Sequence, residues 1–70
     1  MKVREVIRIL KDNGFHFDRQ KGSHRQFKGE VDGKARLVTV AGKESDEISR
    51  PTLASIKRQS GLPRRRFRRS

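Results

Sequence analysis

The chain has no cysteine, so neither a disulfide framework nor a thiolate zinc site can staple it. Its start lacks an apolar run of even about seven residues, the lower limit for the core of a secretory leader. Nowhere does it reach the about 18–20 apolar residues that a membrane-spanning helix needs. These absences point to a soluble cytoplasmic protein with no membrane partner. Apolar residues make up only 30% of 70 positions, so one small domain with a thin core is expected. Known chemical constellations are also missing. There are no histidines paired at i, i+4, no glycine-rich phosphate loop and no Ser-His-Asp order. Two histidines without added carboxylates cannot make a structural zinc site, and no metal or other cofactor is expected. There is no internal repeat and no helix-turn-helix pattern, which ranks a DNA-binding regulator low.

Acids are outnumbered. Eight Asp and Glu stand against 19 Lys and Arg, for a net charge of +11. Arg64, Arg65, Arg66, Arg68 and Arg69 supply five of those positives, yet residues 1–62 still carry 14 cations against 8 acids, net +6. Such a field concentrates polyanions and speeds encounter with them. RNA or DNA is the natural partner, and an acidic protein fits the same field.

Val3, Val6, Ile7 and Leu10 fall at i, i+3, i+4 and i+7, which predicts a helix over residues 2–13. Asn13-Gly14 ends it. Phe15 to Gln20 alternates, with Phe15 and Phe17 on one side, as in a half-buried strand. Lys21-Gly22-Ser23 reads as a three-residue hairpin loop with Gly22 as the turn residue and Ser23 as its cap. A second strand runs from His24 to about Lys28, with Phe27 and Arg25 inward. That register sets Gln20 across from His24 and Asp18 across from Gln26. The outer surface of the hairpin then carries His16, Asp18, Gln20, His24, Gln26 and Lys28.

Residues 29–34 are rich in turn formers and read as a loop. Arg36 to Ala41 reads as a third strand, with Val38 and Val40 inward. Residues 42–50 are polar and irregular and hold the only acidic cluster, Glu44, Asp46 and Glu47. Pro51 opens a closing helix over 51–60, and Gly61 ends it. The segment 63–70 is nearly pure arginine and is expected to be a disordered tail on a domain of residues 1–62. The order helix, three strands, helix makes an α+β fold. Short loops pair the strands antiparallel, and two helices with one apolar stripe each cover one sheet face. This αβββα layout is that of a double-stranded-RNA-binding domain (dsRBD), and a layout alone implies no function.

The stretch Arg19-Gln20-Lys21-Gly22-Ser23-His24, with Phe27 three residues on, resembles the HicA family of bacterial toxin ribonucleases. The likeness extends outward to the helix end Asn13-Gly14-Phe15, to the strand Leu37-Val38-Thr39-Val40, and to the closing helix from Thr52 to Leu62. It covers residues 3–62. Many members carry a second histidine where this chain has Arg25, and glycine where it has Pro51; the arginine tail is outside the usual pattern. The resemblance implies a dsRBD-like fold, metal-independent cleavage of mRNA, and a HicB-like antitoxin as partner.

Histidine suits that chemistry, because its ordinary pKa, about 6.5, lets it take and give a proton near neutral pH. RNA cleavage without a metal needs a base for the 2′-hydroxyl proton, an acid for the leaving oxygen, and cations for the phosphorane charge. His24 is the candidate catalytic residue, as base or as acid. Lys21, Arg25 and Lys28 are candidate phosphate contacts, joined by Arg64, Arg65 and Arg66. His16 reads as a solvent-facing strand residue, and it joins the chemistry only if the register sets it near His24. The rival reading is a non-catalytic RNA-binding module or a small ribosome-associated protein, which needs only the charge, the fold and the tail.

Overall fold

The computed structural model describes residues 1–68. Helix α1 (Val3–Asp12) is followed by strands β1 (His16–Lys21), β2 (His24–Val31) and β3 (Lys34–Ala41), then helix α2 (Arg50–Ser60) and a 3-10 helix, Arg64–Phe67. The strands form one antiparallel sheet in the order β1-β2-β3. The αβββα arrangement is the expected one. Among the described residues no helix is long and apolar enough to cross a membrane.

The apolar period of α1 buries Val3, Val6, Ile7 and Leu10. They join Phe27, Val38 and Val40 of the sheet and Ile56 of α2 in one core, so both helices lie against one sheet face. Phe15 enters that core by lying across Gly29; a side-chain carbon at Gly29 would sit 2.7 Å from the ring. Burying these side chains is the main favourable term, at roughly 1.5–3 kcal/mol for each large one. The segment after β3 serves α1. The carbonyls of Asp46 and Glu44 accept from the Val3 and Arg4 amides at 2.9 and 3.1 Å, two of the donors that a helix start leaves without partners. The Glu47 carboxylate holds the terminal amine at 3.0 Å. The acidic cluster thus sits at the positive end of a helix, where negative charge is favoured.

Helix α2 seals the β3 edge, with the Gln59 side-chain oxygen accepting the Thr39 amide at 3.1 Å. It ends on buried Ser60, whose hydroxyl donates to the Lys57 carbonyl at 2.8 Å and accepts the Leu62 amide at 3.1 Å. The other edge, β1, has no helix over it, and Phe17 is 49% exposed although it faces Phe27 across the ladder.

Four expectations are corrected. The first hairpin loop has two residues, Gly22-Ser23, because Lys21 already pairs with His24. Gly22 has φ +59°, as the first position of a tight two-residue loop requires. Residues 29–31 are strand, since Gly29 makes room for Phe15 and is no turn; the chain reverses at Asp32-Gly33 alone. Gln20 does not face His24, nor Asp18 Gln26: a register shift between Phe17 and Arg19 moves the ladder by one. The arginine segment is ordered through Phe67, whose ring is 5% exposed and has the Lys57 ammonium 5.9 Å from its centre. One aromatic side chain buried in the core anchors that run. The last two residues of the tail expected over 63–70 lie outside the described residues.

Candidate active site

The sheet face away from the helices is open. Alternation about inward Phe27 puts His24, Gln26 and Lys28 on it, and cross-strand pairing arranges three rows. Lys21, His24 and Ala41 form the first, Arg19, Gln26 and Thr39 the second, and His16, Lys28 and Leu37 the third. His24 is exposed, beside the tight turn that starts β2 and next to the small Ala41. Its imidazole makes no hydrogen bond or ion pair with any described residue. Arg19, Lys21, His24 and Gln26 line a shallow cleft of about 450 Å³.

The structure divides the residues singled out by sequence. Lys21 stands directly across from His24, and Gly22 and Ser23 form the turn between them. Lys28 shares the face but is four residues along β2, roughly 13 Å away at the rise of a strand. His16 pairs with Lys28, so it is equally remote and does not supply the counterpart to His24. Arg25 is turned to the other face. Its guanidinium donates to the Gly42 carbonyl at 3.3 Å and lies 3.5 Å from the Glu44 carboxylate, where it ties β2 to the segment that caps the start of α1. Arg64, Arg65 and Arg66 are carried by the 3-10 helix beside α1, on the helical side. Arg64 lines a groove with Arg50, Lys57 and Arg58 of α2, and Arg66 lines a hollow with Arg8 of α1.

Arg19 is the cleft residue that strict alternation misses. Asp18, which is paired with nothing on β2, reaches both Arg19 Nε at 3.4 Å and Lys28 Nζ at 3.8 Å. Among the described residues no three His, Asp or Glu side chains converge as metal ligands. The cleft offers an exposed imidazole, that of His24, among cations on an open surface. It can take a polyanionic chain and exchange a proton with it.

The family model of the HicA toxin of bacterial toxin–antitoxin systems matches residues 3–62. The chain belongs to the HicA toxin family. The match runs from the first residue of α1 to two residues past α2 and contains the whole His24 hairpin. No curated protein sequence matches the chain. As a HicA toxin it is the toxin half of a pair, and an antitoxin partner is implied. Phe67, which closes the core, lies beyond the span the family model matches.

Proposed function

We propose that this HicA toxin is an endoribonuclease that cleaves mRNA without a metal, with His24 as its general acid or base. The observation that carries the reading is His24 itself: an exposed imidazole in a cleft with Arg19, Lys21 and Gln26, on the face left open by the helices. In the reaction the 2′-oxygen bonds to phosphorus as its proton leaves, and the bond to the 5′-oxygen breaks as that oxygen gains a proton. His24 serves one of these transfers, a contribution typically of about 10²–10⁴-fold. Lys21, directly across the ladder, offsets the charge that develops on phosphorus. Lys28, lower on the same face, contacts a neighbouring phosphate, and Arg64, Arg65 and Arg66 widen the basic field that gathers the RNA.

The partner is a HicB-like antitoxin, acidic enough to answer the +11 charge, seated over the open face so that His24 is covered. Alkylation of His24 should slow in the complex; unslowed alkylation together with continued RNA cleavage would rule out direct cover. The test of the activity is product chemistry. Purified protein incubated with mRNA and a chelator should leave 2′,3′-cyclic phosphate ends, and RNA lacking the 2′-hydroxyl at the cut site should survive. Binding without cleavage would favour the non-catalytic RNA-binding module. Cleavage that stops on adding chelator would show a metal in the mechanism.

A further inference from the structure

The cleft holds a second charged group whose presence depends on one irregularity in β1. Simple alternation from His16 would place Asp18 and Gln20 on the His24 face and turn Arg19 and Lys21 toward the helices. The register shift between Phe17 and Arg19 reverses this. Arg19 pairs with outward Gln26, Gln20 with inward Arg25, and Lys21 with His24. Asp18 is the extra residue of a β-bulge, a device that re-aims side chains and recurs beside active sites. In this chain it brings two cations to the imidazole's side where an unbroken ladder would set a glutamine.

Of those two, Arg19 is the one with a charged partner, although its side chain is 73% exposed. The Asp18 carboxylate, 23% exposed, lies 3.4 Å from Arg19 Nε and also 3.8 Å from Lys28 Nζ, so three charges brace one another. Contact through Nε leaves the two terminal guanidinium nitrogens available. They form a fork that matches two oxygens of one phosphate, which a lysine cannot do. Arg19 is diagonal to His24 across the ladder, a spacing of about 7–8 Å that long side chains bridge. The imidazole, the guanidinium and Gln26 line one cleft of about 450 Å³.

We propose that Arg19 is a catalytic residue whose guanidinium grips the two non-bridging oxygens of the scissile phosphodiester, and that the Asp18 bulge positions it. The proposal rests on the reading of His24 given above. As the 2′-oxygen bonds to phosphorus and the 5′-oxygen leaves, Arg19 exchanges no proton. Its two hydrogen bonds shorten as charge gathers on the oxygens they hold.

The test moves the cation without changing the charge. The double variant Arg19→Gln/Gln20→Arg keeps composition and net charge but sends the guanidinium to the other face. It should melt a little below the wild type, because the moved guanidinium meets Arg25 across the ladder, and should bind RNA with nearly unchanged affinity, while kcat falls about 10²–10³-fold, the usual loss for one transition-state donor. Arg19→Lys, which keeps the position and loses the fork, should show a smaller fall in kcat with KM held; it also serves if the double variant does not fold. His24→Gln is assayed beside them. Wild-type cleavage by the double variant or by Arg19→Ala, with His24→Gln inactive, would overturn the Arg19 role and leave the His24 reading standing. Wild-type cleavage by His24→Gln with the double variant inactive would do the reverse. Uridine vanadate, which mimics the five-coordinate phosphorus, gives a readout apart from turnover. Its binding should weaken about 10²-fold or more in the double variant. A wild-type protein that neither cleaves RNA nor binds the vanadate would overturn both.

Discussion

Replacing Phe67 by alanine should destabilise this toxin more than any change its surroundings in sequence suggest. The ring is 5% exposed and belongs to the core cluster, although the three residues before it are arginines. Buried Phe→Ala substitutions cost about 3–5 kcal/mol. The ring is carried by a short 3-10 helix that can shift more easily than a long element, so the low end, about 3 kcal/mol, is the expected loss. Domains hold only about 0.05–0.15 kcal/mol per residue, or roughly 4–10 kcal/mol at this length. One side chain therefore accounts for about a third or more of the stability. For a domain of this size about 1 kcal/mol moves the melting temperature by about 4–8 °C, which puts the shift at roughly 12–24 °C. Phe17→Ala is the control. That ring is 49% exposed and meets Phe27 edge-on with centroids 6.0 Å apart, so it should cost about 1–2 kcal/mol, half a ring's burial plus the edge contact. Thermal and urea melts of both variants decide the matter. A Phe67→Ala protein that melts within about 2 °C of wild type would show that the C-terminal segment is not part of the core, contrary to the reasoning.

Arg25→Ala should reduce stability by up to about 1 kcal/mol, because its ion pair with Glu44 is partly solvated, and should leave RNA cleavage nearly unchanged; a large loss of cleavage at unchanged stability would put Arg25 back among the phosphate contacts. Changing Arg64, Arg65 and Arg66 together to alanine should keep the fold, since all three side chains are exposed, and should flatten the salt dependence of RNA binding by about 2 in log–log slope if each meets one phosphate. An unchanged slope would mean that RNA does not reach the helical side.

The parts of the fold that follow a period were legible in the sequence. Helix α1 could be read from four apolar residues at helical spacing, and β3 from Val38 and Val40 on one parity, because a single face is buried in each case. Departures from a period were not. Asp18 is one polar residue among others, and nothing local marks it as the extra residue of a bulge; the bulge is a property of the pair of strands. For that reason strict alternation puts Gln20 on the outer surface of the hairpin and leaves Arg19 off it. Gly29 was read as a turn because glycine usually marks one, whereas a phenylalanine fourteen residues earlier needs the space. Asp32-Gly33 alone carried the hairpin signal. Phe67 was hidden by composition, since a run of arginines reads as solvated chain whatever single aromatic it contains. His24 was legible through parity from Phe27 and through the family pattern around it, and the structure places it outward as that parity required.

The most direct test of the catalytic role is His24→Ala, assayed on one protein preparation for RNA cleavage in chelator, RNA affinity and thermal stability. The side chain is exposed and free of partners among the described residues, so its loss should cost under about 1 kcal/mol. Affinity rests on lysines and arginines that the variant keeps, and should stay within about twofold. Cleavage should fall by at least about 10²-fold, since only the proton transfer has gone. Cleavage at the wild-type rate, by a protein that still binds RNA and melts normally, would contradict the account by removing His24 from the chemistry.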